Sequence, residues 1–273
     1  MLRTRVITAV VLLLILLPSI FVAPPPVWGA VSLVFLAAAA FEWTRLLPGE
    51  ASAWRVAGLM TLIGSTWLAF SVEQGIPASV RLTLYAASTL FWLLVAPARL
   101  SRVAAHGRWP GAVVLLMACW SALYDLRELG ALVLFCAMAI VWIADIGAYF
   151  AGKSFGRHKL APRISPGKSW EGAIGGALAV VIVAMATTGV ASMAQVLPAM
   201  LSARIGWLAT VIVLCLLAAL SVLGDLHESL LKRLAGVKDS GATLPGHGGV
   251  LDRIDALIPV MPVVAMIHLV LQD

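Results

Sequence analysis

Long apolar stretches recur along this chain so closely that they leave little room for anything else, and that recurrence limits what it can fold into. Windows of about 20 apolar residues, the length of α-helix that crosses the hydrocarbon of a bilayer, fall near positions 6–23, 27–43, 54–72, 81–98, 111–124, 131–150, 170–190, 205–224 and 254–271. Lipid offers backbone amides no water to bond, so each window must close its hydrogen bonds internally as a helix. The expected fold is therefore all-α, a polytopic integral membrane protein with about nine transmembrane helices. Composition agrees: 62% of the 273 residues are hydrophobic and 12% charged, with mean hydropathy +1.01, outside the range of soluble domains. Arg3 and Arg5 precede the first window as in a signal peptide. No soluble domain follows, so that window reads as the first span.

The bases set the expected orientation. With the N-terminus cytoplasmic, the inner side receives Arg3, Arg5, Arg45, Arg55, Arg99, Arg102, Arg108, Lys153, Arg157, Lys159, Arg163, Lys168, Lys232, Arg233, Lys238 and Arg253; the outer side receives Arg81, Arg127 and Arg204. This bias follows the positive-inside rule and puts the C-terminus on the periplasmic side of an odd number of spans. The same bases suit anionic lipid head groups. The net charge of +6 does not imply a nucleic-acid partner, because no basic helix or aromatic-basic platform stands outside the membrane loops. Cys119, Cys136 and Cys215 fall inside apolar runs without metal-ligand spacing and read as small core residues. The chain divides into N-terminal helices over 1–110, middle helices with a basic loop over 111–169, and C-terminal helices over 170–273.

One polar stretch, residues 229–255, reads SLLKRLAGVKDSGATLPGHGGVLDRID. Asp252 and Asp255 share a face if the chain is helical from Leu251 onward, and hard oxygen ligands of this kind suit Mg²⁺. Gly246, Gly248 and Gly249 bracket His247, and such glycines let a phosphate approach backbone amides closely. Upstream, Asp225, Glu228, Ser229, Lys232 and Arg233 follow the i, i+3, i+4, i+7, i+8 pattern, so one helical face carries acids and bases together. Asp145 interrupts the sixth window near its inner end, where an acid is costly unless it faces a wet cavity or a partner. Lys168 and Ser169 lie just ahead of a glycine-rich window, where a phosphate could meet the ammonium, the hydroxyl and free helix amides. Glu171 reads equally as a helix-cap acid. The segment is no Walker A loop: the spacing is wrong and no strand is expected before it.

The order S-L-L-K-R, K-D, P-G-H-G-G and L-D-R-I-D, together with the earlier K-S-W-E-G, resembles the signature of the phosphatidate cytidylyltransferase (CDP-diacylglycerol synthase) family. The resemblance implies a multi-pass enzyme of a bacterial-type inner membrane with its active site facing the cytoplasm. Its substrates would be CTP or dCTP and phosphatidate, with membrane lipids around it, and it would form a homodimer. The implied chemistry is nucleotidyl transfer dependent on Mg²⁺, with a second metal or a monovalent cation as a further option. Asp225, Asp252 and Asp255 are the expected metal ligands, and Lys238 joins them as a catalytic residue. Lys168, Ser169, Ser229, Lys232, Arg233, His247, Gly248, Gly249 and Arg253 are the expected phosphate ligands. Asp145, Glu171, Glu228 and Asp239 are secondary candidates.

Two other classes use some of these features. A transporter of an anionic substrate would explain Asp145 and the inner bases, but it does not need the pair Asp252 and Asp255, and no matching broken helices stand in the two halves. A CDP-alcohol phosphotransferase would need a longer run of regularly spaced aspartates than this chain carries.

Overall fold

The computed structural model describes residues 2–49, 51–103 and 109–272, apart from the side chains of Leu2 and Gln272. Arg108, one of the expected inner bases, His106 and the C-terminal Asp273 lie outside the described residues.

Helices dominate, in the order α1 (Leu2–Phe21), α2 (Pro25–Leu46), α3 (Ala53–Glu73), α4 (Ala78–Leu90), a π turn (Phe91–Val95), α5 (Ala96–Arg102), α6 (Trp109–Leu129) and α7 (Ala131–Phe155). After a hairpin of β1 (Lys159–Ala161) and β2 (Ser165–Ser169) come α8 (Trp170–Ala186), α9 (Leu197–Ile205), α10 (Trp207–Leu234), α11 (Leu251–Ile254) and α12 (Leu257–Gln272). Among the described residues, seven helices are long and apolar enough to cross a membrane, α4, the π turn and α5 forming one of them. About nine were expected from the apolar windows. The windows near 170–190 and 254–271 hold the shorter apolar helices α8 and α12, of 17 and 16 residues.

The hairpin departs from the all-α expectation and places a strand ahead of α8. Lys159 pairs with Ser169 and Ala161 with Ser165, antiparallel. This segment has left the apolar windows, so its backbone finds partners across the hairpin instead of along a helix. Pro162 opens the turn, a position its fixed φ favours. The π turn also has a local cause. Pro97 lacks an N–H and its ring crowds the carbonyl one turn back, which widens the helix over Phe91–Val95.

The apolar core runs through all three expected segments of the chain. In α6, 72% of the spanning window is buried, against 11% in α1, so α6 is the hub and α1 lies at the rim of the bundle. Helices α4 and α12 pack on α6, and α7 lies against α8. That last contact depends on small residues: a Cβ on Gly147 would sit 2.8 Å from the Ala179 Cβ, and one on Gly176 would sit 2.5 Å from the Ala144 carbonyl. Close approach of α7 and α8 is what lets side chains from both reach one cavity.

Candidate active site

A cavity of about 520 Å³ opens where α7, β2, α10 and the joint between α11 and α12 meet. Asp145 and Lys153 come from α7, Lys168 and Ser169 from β2, Asp225 from α10, and Asp252, Arg253 and Asp255 from the joint. Gly224 draws the last two elements together. A Cβ there would overlap the Asp255 carbonyl and stand 2.8 Å from the Pro259 ring. A groove of about 570 Å³ between α2 and α3 is larger, but Glu73 is the one charged side chain along its wall.

Charge in the cavity is unevenly matched. Lys168 Nζ lies 2.6 Å from Asp225 Oδ2, and Ser229 Oγ donates to Asp225 Oδ1 at 3.2 Å. Asp225 also acts electrostatically on Asp145 and Asp255, and Lys168 is the cation common to all three acids. Asp255 registers the excess of negative charge. Burial first, and then the charge of Asp225, push its carboxyl up to about 8.

Asp252 is satisfied differently. Lys232 Nζ donates to its Oδ1 at 2.7 Å, while Gly249 N, Ser240 Oγ and Ser240 N donate to Oδ2 at 2.8, 2.9 and 3.0 Å. Burial works against this charge, but the Lys232 ammonium and the Gly249 amide outweigh it and hold the carboxyl at about 2. Lys232 is bracketed, because its ammonium also pairs with Glu228.

Of the residues expected from the sequence, Asp145, Lys168, Ser169, Asp225, Asp252, Arg253 and Asp255 line the cavity; the others lie behind or beside it. Ser229 braces Asp225, and Glu228 with Lys232 forms a layer behind Asp252. Arg233 is exposed, and its Nε donates to the Ile164 carbonyl. Lys238 and Asp239 are exposed. The His247 carbonyl accepts from Arg253, and Gly246 and Gly248 adopt φ of +77° and +84°, a conformation that favours glycine. The Gly249 amide is engaged by Asp252. Ser169 caps α8 by accepting from Gly172 N, while Glu171 accepts from the amides of Arg157 and His158 and from His158 Nδ1 at 2.6 Å. Glu171 thereby fastens the start of the hairpin.

Sequence reasoning missed Glu42. It sits in α2, 1% exposed, against the 240–251 loop. The available signal was an acid inside an apolar window, in F-E-W-T-R. Arg5 and Thr8 were also missed as contacts of this loop; they donate to the carbonyls of Gly246 and Pro245.

Among the described residues, no three acids, histidines or cysteines converge closely enough to enclose a metal on their own. The cavity nevertheless gathers the carboxylates of Asp145, Asp225, Asp252 and Asp255, with Asp225 and Asp255 close enough to act on each other. That donor set fits Mg²⁺, which is commonly held by one or two carboxylates and completes its shell with water and substrate phosphates.

The Cytidylyltransferase family matches this chain over residues 3–271. A phosphatidate cytidylyltransferase of Pseudomonas aeruginosa is 37% identical over 97% of this chain and 96% of its own. One of Brucella melitensis is 39% identical over 94% of this chain and 89% of its own. One of Haemophilus influenzae is 46% identical over 49% of this chain and 44% of its own. With a match across nearly its whole length, the chain belongs to the cytidylyltransferase family.

Proposed function

We infer that the chain is a nucleotidyltransferase that makes CDP-diacylglycerol and pyrophosphate from CTP and phosphatidate, a step of phospholipid synthesis in a membrane. The observation that carries this beyond the family match is the cavity itself, where Lys168, Asp225 and Asp255 meet within reach of Asp145 and Asp252. Both reactants are anions, so bringing them together is mainly a problem of charge and position.

The lipid phosphate oxygen attacks the α-phosphorus of CTP. A P–O bond forms there as the bond to the bridging oxygen breaks, and pyrophosphate leaves with the electron pair. The attacking phosphate is already ionised near neutral pH, so no strong general base is required. Lys168 exchanges its contact with Asp225 for a phosphate oxygen, and Arg253 offers a second cation at the cavity wall. Ser169, Ser229, Lys232, Arg233, Lys238, His247, Gly248 and Gly249 support phosphate binding directly or by shaping the wall. Asp225, Asp252 and Asp255 would hold Mg²⁺, Asp252 by release from Lys232. When bound, the ion supplies charge neutralisation for the phosphates of both reactants. A second metal or a monovalent cation has the remaining acids, Asp145 and Glu228, within the same region. Glu171 serves as a local structural acid at the start of the hairpin, and Asp239 is kept as a secondary candidate for the site.

In the membrane we assign nine spans, α8 and α12 completing the seven longer ones, with a cytoplasmic N-terminus and cavity and a periplasmic C-terminus. The distribution of Lys and Arg supports this. The assigned location is the inner membrane of a bacterial-type cell, the assembly is a homodimer, and dCTP is accepted alongside CTP.

The test is direct. Protein purified in detergent is given phosphatidate, Mg²⁺ and CTP or dCTP labelled at the α-phosphate. Label should enter lipid only when phosphatidate is supplied. Lipid labelled from the γ-phosphate would mean a kinase. Phosphatidate crossing a reconstituted bilayer without nucleotide turnover would mean a transporter. Cysteines placed in the 153–168 loop should be shielded from reagents outside intact cells. Their external labelling would overturn the orientation.

A further inference from the structure

The loop that carries the signature glycines is fastened from a distant part of the chain. Glu42 projects from α2 and accepts four hydrogen bonds from this loop. Leu251 N donates to Oε2 at 2.8 Å, Val250 N to Oε1 at 3.2 Å, Ser240 Oγ to Oε2 at 3.2 Å, and Thr243 Oγ1 to Oε1. Two amides and the Thr243 hydroxyl donate to Glu42, and the single proton of the Ser240 hydroxyl is shared between Glu42 and Asp252. Room for the carboxylate comes from two loop glycines. A Cβ on Gly241 or on Gly249 would stand 2.5 Å from a Glu42 oxygen. Gly249 therefore admits Glu42, a role separate from any phosphate contact.

These bonds reach the cavity by short paths. Val250 and Leu251 lead directly into α11, so the residue after them is Asp252 and the C-terminal cap is Asp255. The Ser240 hydroxyl lies between the two acids, 3.2 Å from Glu42 and 2.9 Å from Asp252. Glu42 is itself held rigidly, since its neighbours Trp43 and Leu46 belong to the core. A buried acid in an apolar helix is costly to keep, and simple anchoring of a loop could be done by apolar packing.

We propose that Glu42 is a positioning residue, which orders the 240–251 loop so that Asp252, Arg253 and Asp255 are held in register with Asp225 across the cavity. This rests on the reading of that cavity as the active site. Substitution Glu42→Gln keeps the shape but turns one acceptor into a donor facing a donor. Amides of Val250 and Leu251 should then exchange hydrogen faster. Turnover per folded enzyme should fall by about tenfold or more, as expected when reacting groups are displaced by a fraction of an ångström to an ångström. The KM for CTP should move much less than kcat. Glu42→Asp, which keeps the charge, should recover part of the loss. A purely structural anchor gives a different result: less protein in the membrane, but normal kcat in what folds.

The variant Thr243→Val removes a hydroxyl donor to Glu42, leaves the Ser240 and Gly249 bonds of Asp252 in place, and decides the matter if Glu42→Gln fails to accumulate. Reduced kcat with intact folding supports the proposal, and wild-type kcat in either folded variant overturns it. Asp255→Asn is the control for the site. Full activity there would mean that the cavity reading had failed. Loss of activity there, with wild-type kcat in the Glu42 variants, removes the Glu42 proposal alone.

Discussion

The two walls of the cavity are built on opposite electrostatic plans. Around Asp225, the Lys168 ammonium is the cation shared by Asp145, Asp225 and Asp255, three acids for one close partner. Around Asp252 and the 240–251 loop the charges and donors are more fully matched: Lys232 lies between Glu228 and Asp252, and Glu42 is contacted by two amides and two hydroxyls. A wall with unbalanced charge can change partners when an anion or a cation arrives. The Glu42 bonds keep the 240–251 loop in shape while that happens, and Asp252 exchanges only its Lys232 partner. The contrast separates groups that act on the reactants from groups that hold those groups still, and it can be tested one side chain at a time.

The largest effect is expected at the acids. Under the proposed metal site, Asp225→Asn, Asp252→Asn and Asp255→Asn would each remove a charge that offsets Mg²⁺, and turnover should fall by roughly a hundredfold or more. Assays on purified protein over a range of Mg²⁺ will check this, with excess Mg²⁺ restoring only part of the rate. Near-normal turnover at low Mg²⁺ in all three would move the metal assignment to Asp145 and Glu228.

The lysines should divide more sharply. Lys168→Met removes the shared cation of the unbalanced wall, and its kcat should fall by about tenfold to a hundredfold, in the range of lost charge-stabilising donors. Its melting temperature in detergent should hold. Lys232→Met leaves Glu228 and Asp252 without their cation, and removing one partner of a buried pair costs about 3–5 kcal/mol. Its melting temperature should drop by many degrees. Equal thermal losses in the two variants would break the distinction between the walls.

The sequence made one wall more legible than the other. Spans could be read because lipid admits no unpaired backbone, so about 20 apolar residues can hardly be anything but a helix. The acids Asp225, Asp252 and Asp255 stood out because charge is rare in such a chain. The hairpin was not legible, because Lys159–Ala161 and Ser165–Ser169 are too short to show alternation. Pairing of Lys168 with Asp225 could not be read either, since it depends on how the hairpin strand β2 lies against α10. Glu42 was visible as an acid in an apolar window, but its partners lie about 200 positions later, a relation that periodicity does not encode.

The smallest effect separates Asp252 from Asp255 by pH in protein freed of metal with a chelator. Asp255 is raised from an ordinary value of 3.8 to about 8. The stability linked to its neutral form is full below 3.8 and is lost as pH climbs through about 8. Asp252 is lowered to about 2, so its contribution is present above 3.8 and is lost only as pH falls through about 2. Between pH 6 and 9, wild-type protein should therefore lose thermal stability relative to Asp255→Asn, while Asp252→Asn should lie below wild type even at pH 6. The ranking at Asp255 should reverse when Mg²⁺ is restored. A cation there competes with the proton, so the Mg²⁺ concentration for half-saturation should fall as pH rises toward 8. Melting curves of the three proteins across that range, with and without Mg²⁺, carry the test. Parallel pH profiles for the two variants would mean that the two walls do not differ in how their charge is balanced.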